Sequence, residues 1–167
     1  MYILISVIMI AVLVAADQII KFWAAGSLEP VGTIPFWHIG NQKIIDFTYV
    51  ENDGAVFGSF GGKRIVLIAV TTILVGVCVY FLYKYKTSSK LMFISLNMII
   101  AGGIGNWIDR VFRNGLVIDY IEVKLFNFAV FNFADICITL GVAFILIYIL
   151  FIEKRDDKKE EVASNAK

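Results

Sequence analysis

Asp119, in GLVIDYIEV, and Asp135, in FNFADICITLG, are carboxylates set where apolar stretches reach a boundary. The first sits in a short strand-like run and the second in the first turn of an apolar helix. Two such groups brought together can divide general acid and general base work. At about 4 Å and an effective dielectric near 20, two negative charges repel by roughly 4 kcal/mol, so one proton is shared near neutral pH. The ionised partner then takes a proton from water while the protonated one polarises a carbonyl. The apparent pKa values of such a pair belong to both members. Spacing alone leaves open whether the two carboxylates meet.

More polar groups collect near the same boundary. Asp17 and Lys21 form an i, i+4 pair near the end of the first apolar segment, with the acid on the favourable N-terminal side. Asn106, Asp109 and Arg110 close the stretch AGGIGNWIDR, at spacings that put all three on one helical face. Asn132 precedes Asp135 by three residues. An ionised side chain at the centre of a membrane helix costs roughly 2.5 to 3.5 kcal/mol, so such residues call for a reason. Hydrogen bonding between helices explains Asp17 with Lys21, and Asp109 with Arg110, as well as a catalytic role does. Gly102, Gly103 and Gly105 read as a small-residue surface that lets a neighbouring helix approach. Asn106 and Arg110 are donors placed to fix the backbone carbonyls of a substrate.

The elements that would position these groups are membrane spans. The chain has 167 residues, 59% hydrophobic and 17% charged, with a mean hydropathy of +0.81, outside the range of soluble domains. A hydrocarbon core of about 30 Å takes roughly 20 apolar residues. Such segments fall at about 3–24, 65–83, 91–108 and 132–152, which predicts an all-α membrane protein of four transmembrane helices. Residues 1–152 form one integral membrane domain, and the charged tail 153–167 is expected to be disordered. Lys84, Lys86 and Lys90 after the second helix, with Lys154, Arg155, Lys158 and Lys159 in the tail, place those sides and both termini in the cytoplasm. The connections 25–64 and 109–131 then lie outside, although they too carry Lys43, Lys63, Arg64, Arg110, Arg113 and Lys124.

The first segment is not expected to be cleaved. Ala15 and Ala16 resemble a signal-peptide exit, but Met1–Ile5 carry no Lys or Arg and the segment continues through Asp17, Gln18 and Lys21. Cys78 and Cys137 lie within apolar segments and read as small core residues. The single His38 excludes a paired-histidine zinc motif, and no cysteine pair has metal-ligand spacing, so neither a metal nor an organic cofactor is expected. A net charge of +1 gives no indication of nucleic acid. The sequence has no Gly-rich phosphate loop, internal repeat or serine nucleophile elbow.

Before the second helix, KIIDFTYVENDGAVFGSF alternates Ile45, Phe47 and Tyr49 with more polar neighbours and then turns at Asn52, Asp53 and Gly54. This predicts a small strand segment outside the membrane, between the first and second helices, able to cover the site. NDG taken alone is only a turn.

Together, DQIIK, NDGAVFG, GGIGNWIDR, DYIEV and FNFAD resemble the motif series of lipoprotein signal peptidase, the bacterial type II signal peptidase. Order, length and four-helix hydropathy also match, over about residues 5–152. The resemblance implies a multi-pass aspartic endopeptidase of the bacterial cytoplasmic membrane, with its active site toward the extracytoplasmic side. Its substrates would be prolipoproteins, cut before the Cys that carries a diacylglyceryl group. Asp119 and Asp135 match the catalytic dyad; Asn52, Gly54, Asn106, Arg110 and Asn132 match supporting or substrate-binding positions. Asp17, Lys21 and Asp109 match positions taken as architectural. Globomycin and myxovirescin are the inhibitors the resemblance implies, membrane lipid the surroundings, and a monomer the state. Tyr120 stands where the family often has Phe, and NDGAVF replaces the more usual NxGAAF, changes that bear on pocket shape.

Two other classes fit the same polar residues. A proton-coupled transporter would place ionisable groups at the midplane and on both sides. A structural membrane subunit would use them as glue between helices.

Overall fold

A computed structural model describes residues 2–54, 64–85 and 89–153. The part of NDGAVFG beyond Gly54, together with Lys86 and the tail from residue 154, lies outside the described residues. The helices α1 (Tyr2–Ser27), α2 (Arg64–Tyr85), α3 (Lys90–Phe112) and α4 (Phe133–Ile147) are joined by β1 (Thr33–Ile39), β2 (Gln42–Asn52) and β3 (Val117–Val123). A π-helical turn, Tyr148–Glu153, extends α4, so four helices are long and apolar enough to cross a membrane. The protein is a multi-pass membrane protein, but not all-α. A three-stranded sheet is present, and its third strand comes from the connection between α3 and α4.

Helix α3 is the least apolar span, with a mean hydropathy of 1.6 against 2.4 to 2.8 for the others, and half of its apolar window is buried. In a bilayer, polar side chains are stable only when turned toward protein partners, so the least apolar helix takes the centre. Its glycines each meet a different neighbour. A Cβ at Gly103 would strike Val75 of α2, one at Gly102 the Ala134 carbonyl of α4, and one at Gly105 the Asp17 carboxylate of α1. Gly141 of α4 returns the contact against Ile99 and the Ser95 carbonyl. Close backbone approach through small residues is the main packing device where lipid is as apolar as leucine.

The sheet sits at the end of the bundle that holds Asp17 and Asp109. β1 and β2 form an antiparallel hairpin whose two-residue loop begins at Gly40, with a positive φ of 59°. β2 pairs antiparallel with β3, setting Val50 opposite Asp119 and Phe47 opposite Ile121. Asn114 and Gly115, both at positive φ, turn the chain from α3 directly into β3. Ile118 and Tyr120 of β3 then pack with Ala24 of α1 and Leu28 just beyond it, flanked by Phe47, Tyr49 and Phe133. The alternation in β3 therefore seats Ile118 and Tyr120 in a core while an acid stands between them. An isolated bridge from Ile121 to Phe131 brings the chain back to the start of α4.

Candidate active site

Asp119 and Asp135 are brought to one place by Asn132. The Asn132 side chain donates to Asp119 Oδ1 at 2.6 Å and accepts the Asp135 backbone N–H at 3.1 Å. Its own backbone N–H donates to Asp135 Oδ2 at 3.1 Å, closing a reciprocal capping box at the N-terminus of α4. The cap that starts the helix is thus the bracket between the two acids.

Each carboxylate has a second donor. Asn52 Nδ2, at the end of β2, lies 2.7 Å from Asp119 Oδ2, while Asn52 Oδ1 accepts the Gly54 N–H at 2.8 Å. Asn106 Nδ2, from α3, donates to Asp135 Oδ1 at 2.8 Å. Asp119 is 2% exposed, whereas Asp135 is only half-buried. Burial pushes the Asp119 carboxyl up to about 6, aided by the nearby Asp135 charge, while the Asn52 and Asn132 donors and Lys21 pull it down. Desolvation wins. Asp119 therefore holds its proton to higher pH than an ordinary Asp, into the mildly acidic range.

Behind Asn106 lies a buried ion cluster. Lys21 Nζ is 3.0 Å from Asp17 Oδ2, 2.7 Å from Asp109 Oδ2 and 2.9 Å from Asn106 Oδ1. Lys21, Asp17 and Asp109 are at most 1% exposed, and Arg113 adds a second cation 3.4 Å from Asp109 Oδ1. Two cations thus face two anions. That balance is what makes buried charge tolerable, since an unpaired ion there costs several kcal/mol.

The other expected positions have these surroundings. Asn106, expected as a supporting or substrate-binding residue, has its amide engaged by Lys21, Asn132 and Asp135. Arg110 lies within the field of both acids; Nη1 reaches the Asn106 carbonyl at 3.4 Å, and Nε is buried with no hydrogen-bond partner among the described residues. Gln18 carried no assigned role, yet Nε2 reaches Asp17 Oδ2, Asp109 Oδ1 and the Gly105 carbonyl. Its position inside DQIIK, one residue after the acid, was the available signal. The Tyr120 hydroxyl accepts the Phe133 N–H at 3.1 Å, tying β3 to the first turn of α4.

The buried charged residues of the spans, Asp17, Lys21 and Asp109, gather at one end of the bundle among the described residues. A transport path needs ionisable groups along its length. The comparisons with known proteins agree in direction. The sequence model of the family Peptidase_A8, signal peptidase (SPase) II, matches residues 9–151. The chain belongs to the signal peptidase II family. Lipoprotein signal peptidase of Clostridium acetobutylicum is 38% identical over 158 residues, covering 93% of this chain and 97% of that protein. The Lactococcus lactis enzyme of the same name is 36% identical over 155 residues, with 93% and 98% covered. A bacterial membrane enzyme solved by the in meso method at 1.9 Å superimposes with a TM-score of 0.76 at 31% identity, covering 88% of this chain and 93% of that one. As a member of a protease family, the chain is an enzyme, and its spans are those of a membrane peptidase.

Proposed function

We propose that this signal peptidase II removes signal peptides from diacylglyceryl-modified prolipoproteins, with Asp119 and Asp135 as the catalytic dyad. The observation that carries the assignment is the pair of carboxylates bracketed by Asn132 and held by four amide donors at the mouth of the bundle.

Asp135, the more open acid, takes a proton from water, and the water oxygen attacks the scissile carbonyl. Asp119 holds its proton against that carbonyl as negative charge develops, and the Arg110 guanidinium faces the same region. Collapse breaks the C–N bond; the amine of the lipid-modified Cys leaves with a proton from the dyad, and the signal peptide gains a free carboxylate. The diacylglyceryl chains stay in lipid beside the spans while the peptide bond meets the acids. Such a substrate suits a site on the extracytoplasmic side of the bacterial cytoplasmic membrane, with both termini of the enzyme inside. The enzyme works as a monomer, and globomycin and myxovirescin occupy the dyad.

Cleavage of a diacylglyceryl-modified prolipoprotein by the purified protein tests the assignment. Wild type is expected to cut just before the modified Cys, with Asp119→Asn and Asp135→Asn folded but inactive. Cutting by either variant would move catalysis to other residues.

A further inference from the structure

The two carboxylates around Lys21 account for its charge. Its third contact, to Asn106 Oδ1 at 2.9 Å, has a different consequence. An ammonium only donates, so it selects the oxygen of the amide and never the nitrogen. Asn132 Nδ2 donates to the same oxygen at 3.1 Å. With two donors on that oxygen, the Asn106 NH2 group is turned the other way, where it meets Asp135 Oδ1 at 2.8 Å. A flipped amide would set NH2 against the ammonium and oxygen against the carboxylate. Both contacts would become repulsive.

We propose that Lys21 is a positioning residue for peptide cleavage, acting through the Asn106 amide to hold one oxygen of Asp135. The proposal rests on the dyad assignment above. Asp135 Oδ2 is already fixed by the Asn132 backbone N–H at 3.1 Å, so the Asn106 donor is what stops rotation of the carboxylate about that anchor. The other charged groups around the relay are Asp17 on α1, Asp109, Arg110 and Arg113 at the end of α3, and Asp119 on β3. Lys21 touches Asp17, Asp109 and Asn106, so its hydrogen-bonded route to Asp135 runs through the amide, while its charge acts on Asp119 through space.

Removing Lys21 alone would leave the buried Asp17 without its cation, so the test removes charge in balance. Lys21→Met/Asp17→Asn leaves Asp109 paired with Arg113 and is compared with Asp17→Asn alone. Cleavage of the diacylglyceryl-modified prolipoprotein should lose roughly 10- to 100-fold in kcat, as misplacement of a catalytic group does, with KM little changed. In an Asn106→Ala background the same double substitution should cost nothing further, because the relay is already cut. A wild-type kcat, or losses that multiply in that background, would overturn the proposal. Asn106→Asp provides a second test should the double variant not fold. It keeps an oxygen for Lys21 but offers Asp135 no amide donor, and kcat should fall at unchanged KM; an unchanged kcat overturns the proposal. Asp119→Asn and Asp135→Asn run alongside. If they still cut, the dyad assignment fails; if they are dead while the Lys21 and Asn106 variants are fully active, only the relay fails.

Discussion

Asp17 Oδ1, near the end of α1, accepts the backbone N–H of Ala134 in the first turn of α4 at 3.1 Å, across 117 residues of sequence. Its other oxygen is 3.0 Å from Lys21 Nζ. One carboxylate thus serves an ion pair and an orphan helix donor together. The partial positive charge of the α4 N-terminus favours the arrangement. Asp17→Ala leaves Lys21 with one acid fewer and the Ala134 N–H without a partner, a loss of about 3 kcal/mol or more. Asp17→Asn keeps an acceptor but not the charge and falls between the two. Unfolding midpoints in mixed detergent should rank Ala below Asn below wild type.

Burial of Asp119, which lifts its carboxyl to about 6, sets a pH dependence. A dyad that needs one proton loses it as pH rises, so kcat/KM of the wild type should decline on the basic side with an apparent pKa near that value. The amide of Asn52 favours the ionised form, so Asn52→Ala raises the carboxyl further. Its basic limb should move up by roughly one pH unit, with a lower maximum. The stability sign follows from the same shift. The folded value lies above the roughly 3.9 of an unfolded Asp, so this group's contribution is fully present below about pH 4 and is lost as pH rises through the folded value. A basic limb that stays put in Asn52→Ala would separate Asn52 from the proton held by Asp119.

Tyr120→Phe isolates a third contact. The hydroxyl accepts the Phe133 N–H at 3.1 Å, and the ring is 2% exposed, so Phe fills the same space and leaves one helix donor without its acceptor. Stability should drop by about 1 kcal/mol. Cleavage should stay within roughly threefold of wild type, since the donors to Asp119 and Asp135 come from other residues. A large loss of activity at normal stability would place the hydroxyl in substrate binding instead.

The spans were legible because membrane helices announce themselves by run length, and α1, α2 and α3 lie within a few residues of the expected ranges. The strand character around Ile45, Phe47 and Tyr49 was legible as alternation; the pairing partner was not. β3 joins β2 across about 70 residues, and its tether to Phe131 depends on a backbone bridge that no side-chain pattern encodes. β1 was hidden for another reason. All its residues are exposed, apolar ones included, so TIPFWHI shows none of the inside-outside alternation that marks a half-buried strand. Among the site residues, types and spacings pointed to Asn106 and Asn132, but which partner each amide faces is settled only by tertiary contact. The appearance of Gln18 between Asp17 and Asp109 has the same origin.

The groups that make the site come from both ends of the chain in order of synthesis. Lys21 and Asn52 are made early, whereas Asp119, Asn132 and Asp135 are made last. The first turn of α4 has its donors met by Asp17, Tyr120 and Asn132, so seating the final span and assembling the acids are one event. If Asp119 and Asp135 are the dyad, a nascent chain with three spans in the membrane has its supports but no scissors. On the proposed dyad, a product that stops before α4 lacks Asp135 and is expected to be catalytically silent.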